Sequence, residues 1–106
     1  MPSIVKALRL LADETRLRLL LLLQKEELSV VELQEILGMG QSRISTHLAQ
    51  LRRAGFVHDR RAGKNIYYAL TPAAEGAELK TILEASAKEL PEATSDGRAL
   101  RLALKK

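Results

Sequence analysis

The apolar positions of this chain change their period from segment to segment, and each change marks an element. Ile4, Val5, Leu8, Leu11 and Ala12 share one face of a first helix whose other side carries Lys6 and Arg9. Asp13 caps a second helix, Glu14 to about Gln24. Its unbroken run Leu19 to Leu23 puts apolar groups on every side, as a helix at the centre of a domain requires. Ser29 and Glu32 in SVVE form a capping box for a third helix with Val31, Leu33, Ile36 and Leu37, ending at Gly38. The turn Gly38-Met39-Gly40 offers two residues able to take positive φ, so the next helix leaves at a steep angle. That helix, about Gln41 to Ala54, turns Ile44, Leu48 and Leu51 inward. Ser42, Arg43, Thr46, Ala49, Gln50 and Arg53 face outward, and Gly55 stops it.

Beyond Gly55 the pattern becomes extended. Phe56 to Arg61 and Ile66 to Leu70 are β-prone and are joined by Ala62-Gly63-Lys64-Asn65, a hairpin with a basic tip. Thr71 and Pro72 open a further helix with Leu79, Ile82, Leu83, Ser86 and Leu90 on one stripe, and Pro91 ends it. Glu92 to Gly97 is polar and turn-like, and Arg98 to Lys106 forms a last short helix with Leu100 and Leu104 inward. Two helices on a tight glycine turn, followed by a basic hairpin, predict a winged helix-turn-helix: mainly α with a small β-hairpin. A single domain covers residues 1–106, with the helix-turn-helix at 29–54, the wing at 56–70 and C-terminal helices at 72–106. Apolar stripes on both terminal helices exceed what so small a core covers. They assign Ile4, Leu8, Leu11, Leu79, Ile82, Leu83 and Leu90 to a homodimer interface.

Charge sharpens this picture. The net charge is +4, yet Gln41 to Lys64 alone carries +5, from Arg43, Arg52, Arg53, Arg60, Arg61 and Lys64 against Asp59. The remaining 82 residues sum to −1. One concentrated basic segment in a near-neutral chain is a surface for a polyanion, because neutralised phosphates release counterions. Gln41, Ser42 and Arg43 open the recognition helix, where residues reach base edges in a major groove, and Ser45 and Thr46 can bond bases or phosphates. Arg52, Arg53, Arg60, Arg61 and Lys64 suit phosphates or the minor groove, positioning without reading sequence. The partner expected is double-stranded DNA.

Three segments in order carry a family likeness: LADETRLRLLLLL (Leu11 to Leu23), ELSVVELQEILGMGQSRISTHLAQLRRAGFV (Glu27 to Val57) and RRAGKNIYYAL (Arg60 to Leu70). They closely resemble the ArsR/SmtB family of bacterial winged-helix repressors, over roughly Ala7 to Leu70 and the long helix after it. The resemblance implies a symmetric homodimer built from the first and last helices. It implies a palindromic operator, release by an inducer, and a place beside the DNA backbone for His47. The stretch from Leu70 to Lys106 is similar to the region after the wing in members that continue into a methyltransferase domain. That likeness makes an adenosyl-sulfur metabolite a candidate inducer, and it leaves open a DNA-binding part of a longer regulator.

The family's metal sites do not transfer. Where the arsenic-type site carries cysteines on the third helix, this chain has Ser29 and Val31, and it contains no cysteine at all. The zinc-type site needs Asp and His along the long helix, and Pro72 to Leu90 offers only Glu75, Glu78, Glu84 and Glu89. His47 and His58 are too few and lie on the DNA side. No metal and no cofactor are therefore expected, and any effector is organic. An enzyme is not expected either: Ser45, His47 and Asp59 supply the letters of a triad but point apart, without a nucleophile elbow or phosphate-binding loop. A winged helix that binds acidic proteins instead of DNA is the competing module. Met1 to Ala12 lacks a signal-peptide pattern and no apolar run is long enough to span a membrane, so a cytoplasmic protein is expected.

Overall fold

The computed structural model describes residues 4–72 and 77–105. Its elements are α1 (Ile4–Leu11), α2 (Glu14–Lys25), β1 (Leu28–Ser29), α3 (Val30–Leu37), α4 (Gln41–Arg53), β2 (Val57–Ala62), β3 (Asn65–Leu70), α5 (Ala77–Glu89) and α6 (Glu92–Leu104). The caps are as the sequence predicts. Asp13 accepts the Arg16 backbone N–H at the start of α2, and Ser29 and Glu32 exchange both bonds of a capping box at 2.8 and 3.1 Å. Gly38 ends α3 with φ 66°, a left-handed cap that a side chain rarely tolerates. Gly40 has φ −72°, so the turn uses one positive φ rather than the two its composition allows.

α2 is the hub. Leu19, Leu20, Leu21, Leu22 and Leu23 are all buried, against Leu33 and Leu37 of α3, Ile44, Leu48 and Leu51 of α4, Leu83 of α5 and Leu100 of α6. Burial on this scale contributes roughly 1.5–3 kcal/mol per large apolar side chain before the entropy of folding is set against it. The sheet has order β1-β3-β2, all antiparallel, with Ala62 opposite Asn65 at the hairpin end. Gly63 takes φ 62° there, and glycine first in a two-residue turn is the II′ pattern.

The structure corrects the sequence reading in several places. Leu28 and Ser29 form a short strand against Tyr68 and Tyr67 that two residues of sequence do not announce. Residues 92–97 are helical: Pro91 precedes the first turn of α6, where its missing N–H costs nothing, and the helix runs on to Leu104. The polar character of that segment comes from a buried ion pair, not from a turn. Asp96, 5% exposed, receives Nε and Nη2 of Arg18 at 2.7 and 2.8 Å. That bond favours the charged guanidinium, raising the Arg18 pKa despite burial. Of the helix expected to open at Thr71 and Pro72, residues 73–76, with Glu75, lie outside the described ones, and α5 is described from Ala77.

The expected dimer stripes divide. Ile4, Val5 and Leu8 are exposed on α1, at 70%, 51% and 50%. Leu11, Leu79 and Leu83 are buried within the protomer, and Ile82 and Leu90 pack half-buried against the same core. Leu83 is 1% exposed, so its place at a subunit surface is corrected to a place in the core. The cause is α6, which packs on α2 and α3 and meets α5, so the stripe on α5 is satisfied within one chain.

Candidate nucleic-acid interface

α4 presents two different edges. Ile44, Leu48 and Leu51 are fully buried, which fixes the helix's rotation, and Gln41, Ser42, Arg43 and Thr46 are left exposed. At the helix start Gln41 Nε2 donates to Ser45 Oγ at 2.7 Å, and Thr46 Oγ donates to the Ser42 carbonyl at 2.8 Å. Arg43 Nη2 donates to Thr15 Oγ at 3.3 Å, a long bond, and the residue as a whole is exposed. Gln41, Ser45 and the wing's Lys64 line one shallow groove of about 210 Å³, so the N-terminal half of α4 and the tip of the hairpin adjoin.

The stripe of α4 that carries Arg43, His47 and Gln50 is anchored to α2. Arg16 of α2 donates Nε to the Leu10 carbonyl and Nη1 to Gln50 Oε1 at 3.1 Å, and the same Nη1 lies 3.3 Å from His47 Nδ1. Arginine is only a donor, so Nδ1 accepts and the proton of the neutral ring sits on Nε2. Burial lowers the His47 pKa; Asp13 opposes this, while the charges of Arg16 and Arg43 reinforce it. For Asp13, burial pushes the carboxyl up, but the Arg16 backbone bond, the Arg16 charge and His47 hold it below the usual range. Gln50 is thus turned toward α2 and not outward. The periodicity carried no signal for Arg16, which lies in the LADETRL segment that carries the resemblance.

The wing cations are not equivalent. Side chains alternate along β2, so Arg61 shares a face with Asp59, which pairs at 3.6 Å with Arg52 of α4. Arg60 lies on the other face. It stacks over Tyr67, 4.8 Å from the ring centre, and grips Glu27 by contacts of 2.6–3.0 Å. That hydrogen bond raises the Arg60 pKa and lowers that of Glu27. Expected as a phosphate contact, Arg60 is committed within the chain because Glu27 precedes β1, the strand the sequence reading lacked. Arg52 is partly committed to Asp59. Arg53, Arg61 and Lys64 are exposed and form no ion pair among the described residues. Also among these residues, no three His, Asp or Glu side chains converge as metal ligands, and no helix is long and apolar enough to cross a membrane.

Comparison with known proteins agrees with this geometry. Residues 13–59, from the α2 cap to mid-wing, match the model of "Bacterial regulatory protein, arsR family". The transcriptional activator HlyU of Vibrio cholerae is 40% identical over 80 residues, 76% of this chain and 70% of that protein. The arsenic resistance transcriptional regulator ArsR1 of Pseudomonas putida is 54% identical over 63 residues, 58% of this chain. The matched stretch spans about half the length of that relative, 49%. Among solved structures, reduced HlyU from Vibrio cholerae superposes with TM-score 0.68 at 37% identity, covering 82% of this chain and 87% of that one. The transcriptional repressor BigR from Xylella fastidiosa gives 0.66 at 33%, covering 83% of each. This chain belongs to the arsR family of bacterial regulatory proteins, which are winged-helix transcriptional regulators and not enzymes.

Proposed function

We propose that the chain is a cytoplasmic repressor that binds a palindromic operator as a homodimer and is released by an organic effector. The observation that carries the DNA reading is the exposed set Gln41, Ser42, Arg43 and Thr46, fixed by buried Ile44, Leu48 and Leu51, with Lys64 of the wing beside the start of the helix. Gln41 and Arg43 have the donor and acceptor patterns for adenine and guanine edges, and the wing cations suit phosphates. The exposed apolar face Ile4, Val5 and Leu8 supports pairing through α1. Two-fold symmetry would then set two recognition helices about one helical turn of DNA apart.

Effector chemistry follows from what the chain can ligate. It has no cysteine, so thiophilic ions find no thiolate. The likeness of the tail to methyltransferase-fused members supports an adenosyl-sulfur metabolite, and S-adenosylhomocysteine is the reagent that tests it. The DNA reading is tested by fluorescence anisotropy on a labelled duplex across a salt series. The logarithm of the association constant should fall linearly with the logarithm of salt, with a slope set by the phosphates contacted. Binding that ignores salt would reject it.

A further inference from the structure

A second pocket lies away from the DNA-binding edge, between α2, α5 and α6, with a volume of about 330 Å³. This is the lower end of the size range of small-molecule sites. Leu21, Leu83, Ala87 and Ala93 give it an apolar part, and the lining includes the buried Asp96 already held by Arg18. Two exposed cations, Lys25 and Arg101, are on its lining. A Cβ built on Gly97 would lie 3.2 Å from Lys25 Nζ and 3.9 Å from Arg101 Nη1, so both charges converge on the bare face of one helical glycine. Glycine is unfavourable inside a helix, and here its missing side chain leaves room for the Lys25 ammonium to approach closely. Neither cation forms an ion pair among the described residues, and the remaining carboxylate on the lining, Glu84, pairs with neither. Two cations that form no ion pair among the described residues, beside apolar lining residues, favour a ligand with an anionic head and an apolar body.

We propose that this pocket binds a small amphiphilic anion, a carboxylate or a phosphate ester, with Lys25 and Arg101 on its charge and Leu21, Leu83 and Ala87 against its apolar part. As an effector site this rests on the regulatory function proposed above. α2 carries Arg16, which holds Gln50 of α4, and α6 packs on α3, so a ligand that resets the α2–α6 spacing acts on both helices of the DNA-binding unit.

Calorimetry on the full chain without DNA tests the site independently of any transcriptional role. Octanoate, hexyl phosphate and the neutral octanamide are titrated into wild type, Lys25→Gln/Arg101→Gln and Gly97→Ala. Both cations are exposed, so the double variant should keep the wild-type circular dichroism. At least one anion should bind in preference to octanamide, weakening about tenfold or more in the double variant. Gly97→Ala, whose methyl would press the Lys25 ammonium by a few tenths of an ångström, should weaken it less. Which anion binds distinguishes carboxylate from phosphate chemistry. Equal binding of octanamide, no binding of either anion, or undiminished binding by the double variant would overturn the site. Binding that leaves operator affinity unchanged would overturn its role as an effector site.

Discussion

The guanidinium of Arg16, on α2, donates to the side-chain carbonyl of Gln50, on α4, at 3.1 Å. It thereby couples the central helix to the stripe of the recognition helix on which Arg43, His47 and Gln50 follow one another at spacings of four and three. The Arg16 side chain is 15% exposed, so the bond is shielded and its loss leaves the Leu10 carbonyl, His47 and Gln50 without their shared donor. Arg16→Ala should destabilise the fold by about 1–3 kcal/mol and weaken operator binding further than the stability loss explains. Urea titration and anisotropy on the same sample separate the two effects. Unchanged operator affinity in a folded variant would remove Arg16 from the positioning role.

The Arg18–Asp96 pair should behave differently. Both side chains are shielded, at 15% and 7% exposed, and removing one leaves a buried charge. Asp96→Asn or Arg18→Met should cost about 3–5 kcal/mol by chemical denaturation, whereas Arg18→Met/Asp96→Leu should recover much of that loss. No recovery in the double variant would show that the pair contributes attraction and not only mutual compensation.

The pH response follows from His47. Its folded pKa lies below the ordinary histidine value of about 6.5, so the fold favours the neutral ring. The stability is whole above that value and is lost as pH falls through it toward the folded value. In acid the Arg16–His47 bond becomes a repulsion between cations. Asp13, depressed itself, stays ionised in this window and loses its share only deeper in the carboxylate range. Urea midpoints between about pH 5 and pH 8 should decline less on the acid side for His47→Gln than for wild type. Equal declines would place the acid sensitivity elsewhere.

Self-association should map to α1. Leu8→Glu should give a folded protein that sediments as a monomer and binds operator weakly. Leu83→Glu should instead unfold the domain, because its 1% exposed side chain is core. A folded Leu83→Glu monomer would reverse this assignment.

How far the sequence discloses this molecule depends on the range of the interaction involved. The leucine run of α2, the Ser29–Glu32 box and the Gly38 and Gly55 stops are local, and they read correctly from neighbours a few residues apart. So does the exposed edge of α4, since Ile44, Leu48 and Leu51 dictate its rotation. Glu27 with Arg60, Arg16 with Gln50, and Arg18 with Asp96 are separated by 33, 34 and 78 positions, and no period announces them. The mistaken turn at residues 92–97 and the mistaken interface at Leu83 share that cause. A polar segment reads as a loop until its distant partner is known, and an apolar stripe reads as surface until a covering helix is known.

Within the basic segment the cations should sort by their partners. Lys64→Ala and Arg61→Ala should weaken all duplexes alike and reduce the salt slope by roughly one each. Arg60→Ala, whose charge is already balanced by Glu27, should change the slope less. A slope change for Arg60→Ala as large as that for Lys64→Ala would mean the Glu27 pair opens on DNA.

The central claim is that the exposed edge of α4 reads bases in a symmetric dimer. Selection of bound duplexes from a random DNA pool, with wild type and Arg43→Ala side by side, tests it most directly. Wild type should enrich two inverted half-sites about one helical turn apart, and Arg43→Ala should lose preference at particular base pairs at a cost of about 1–3 kcal/mol. No enriched sequence, a single unpaired half-site, or an identical preference in the variant would contradict it.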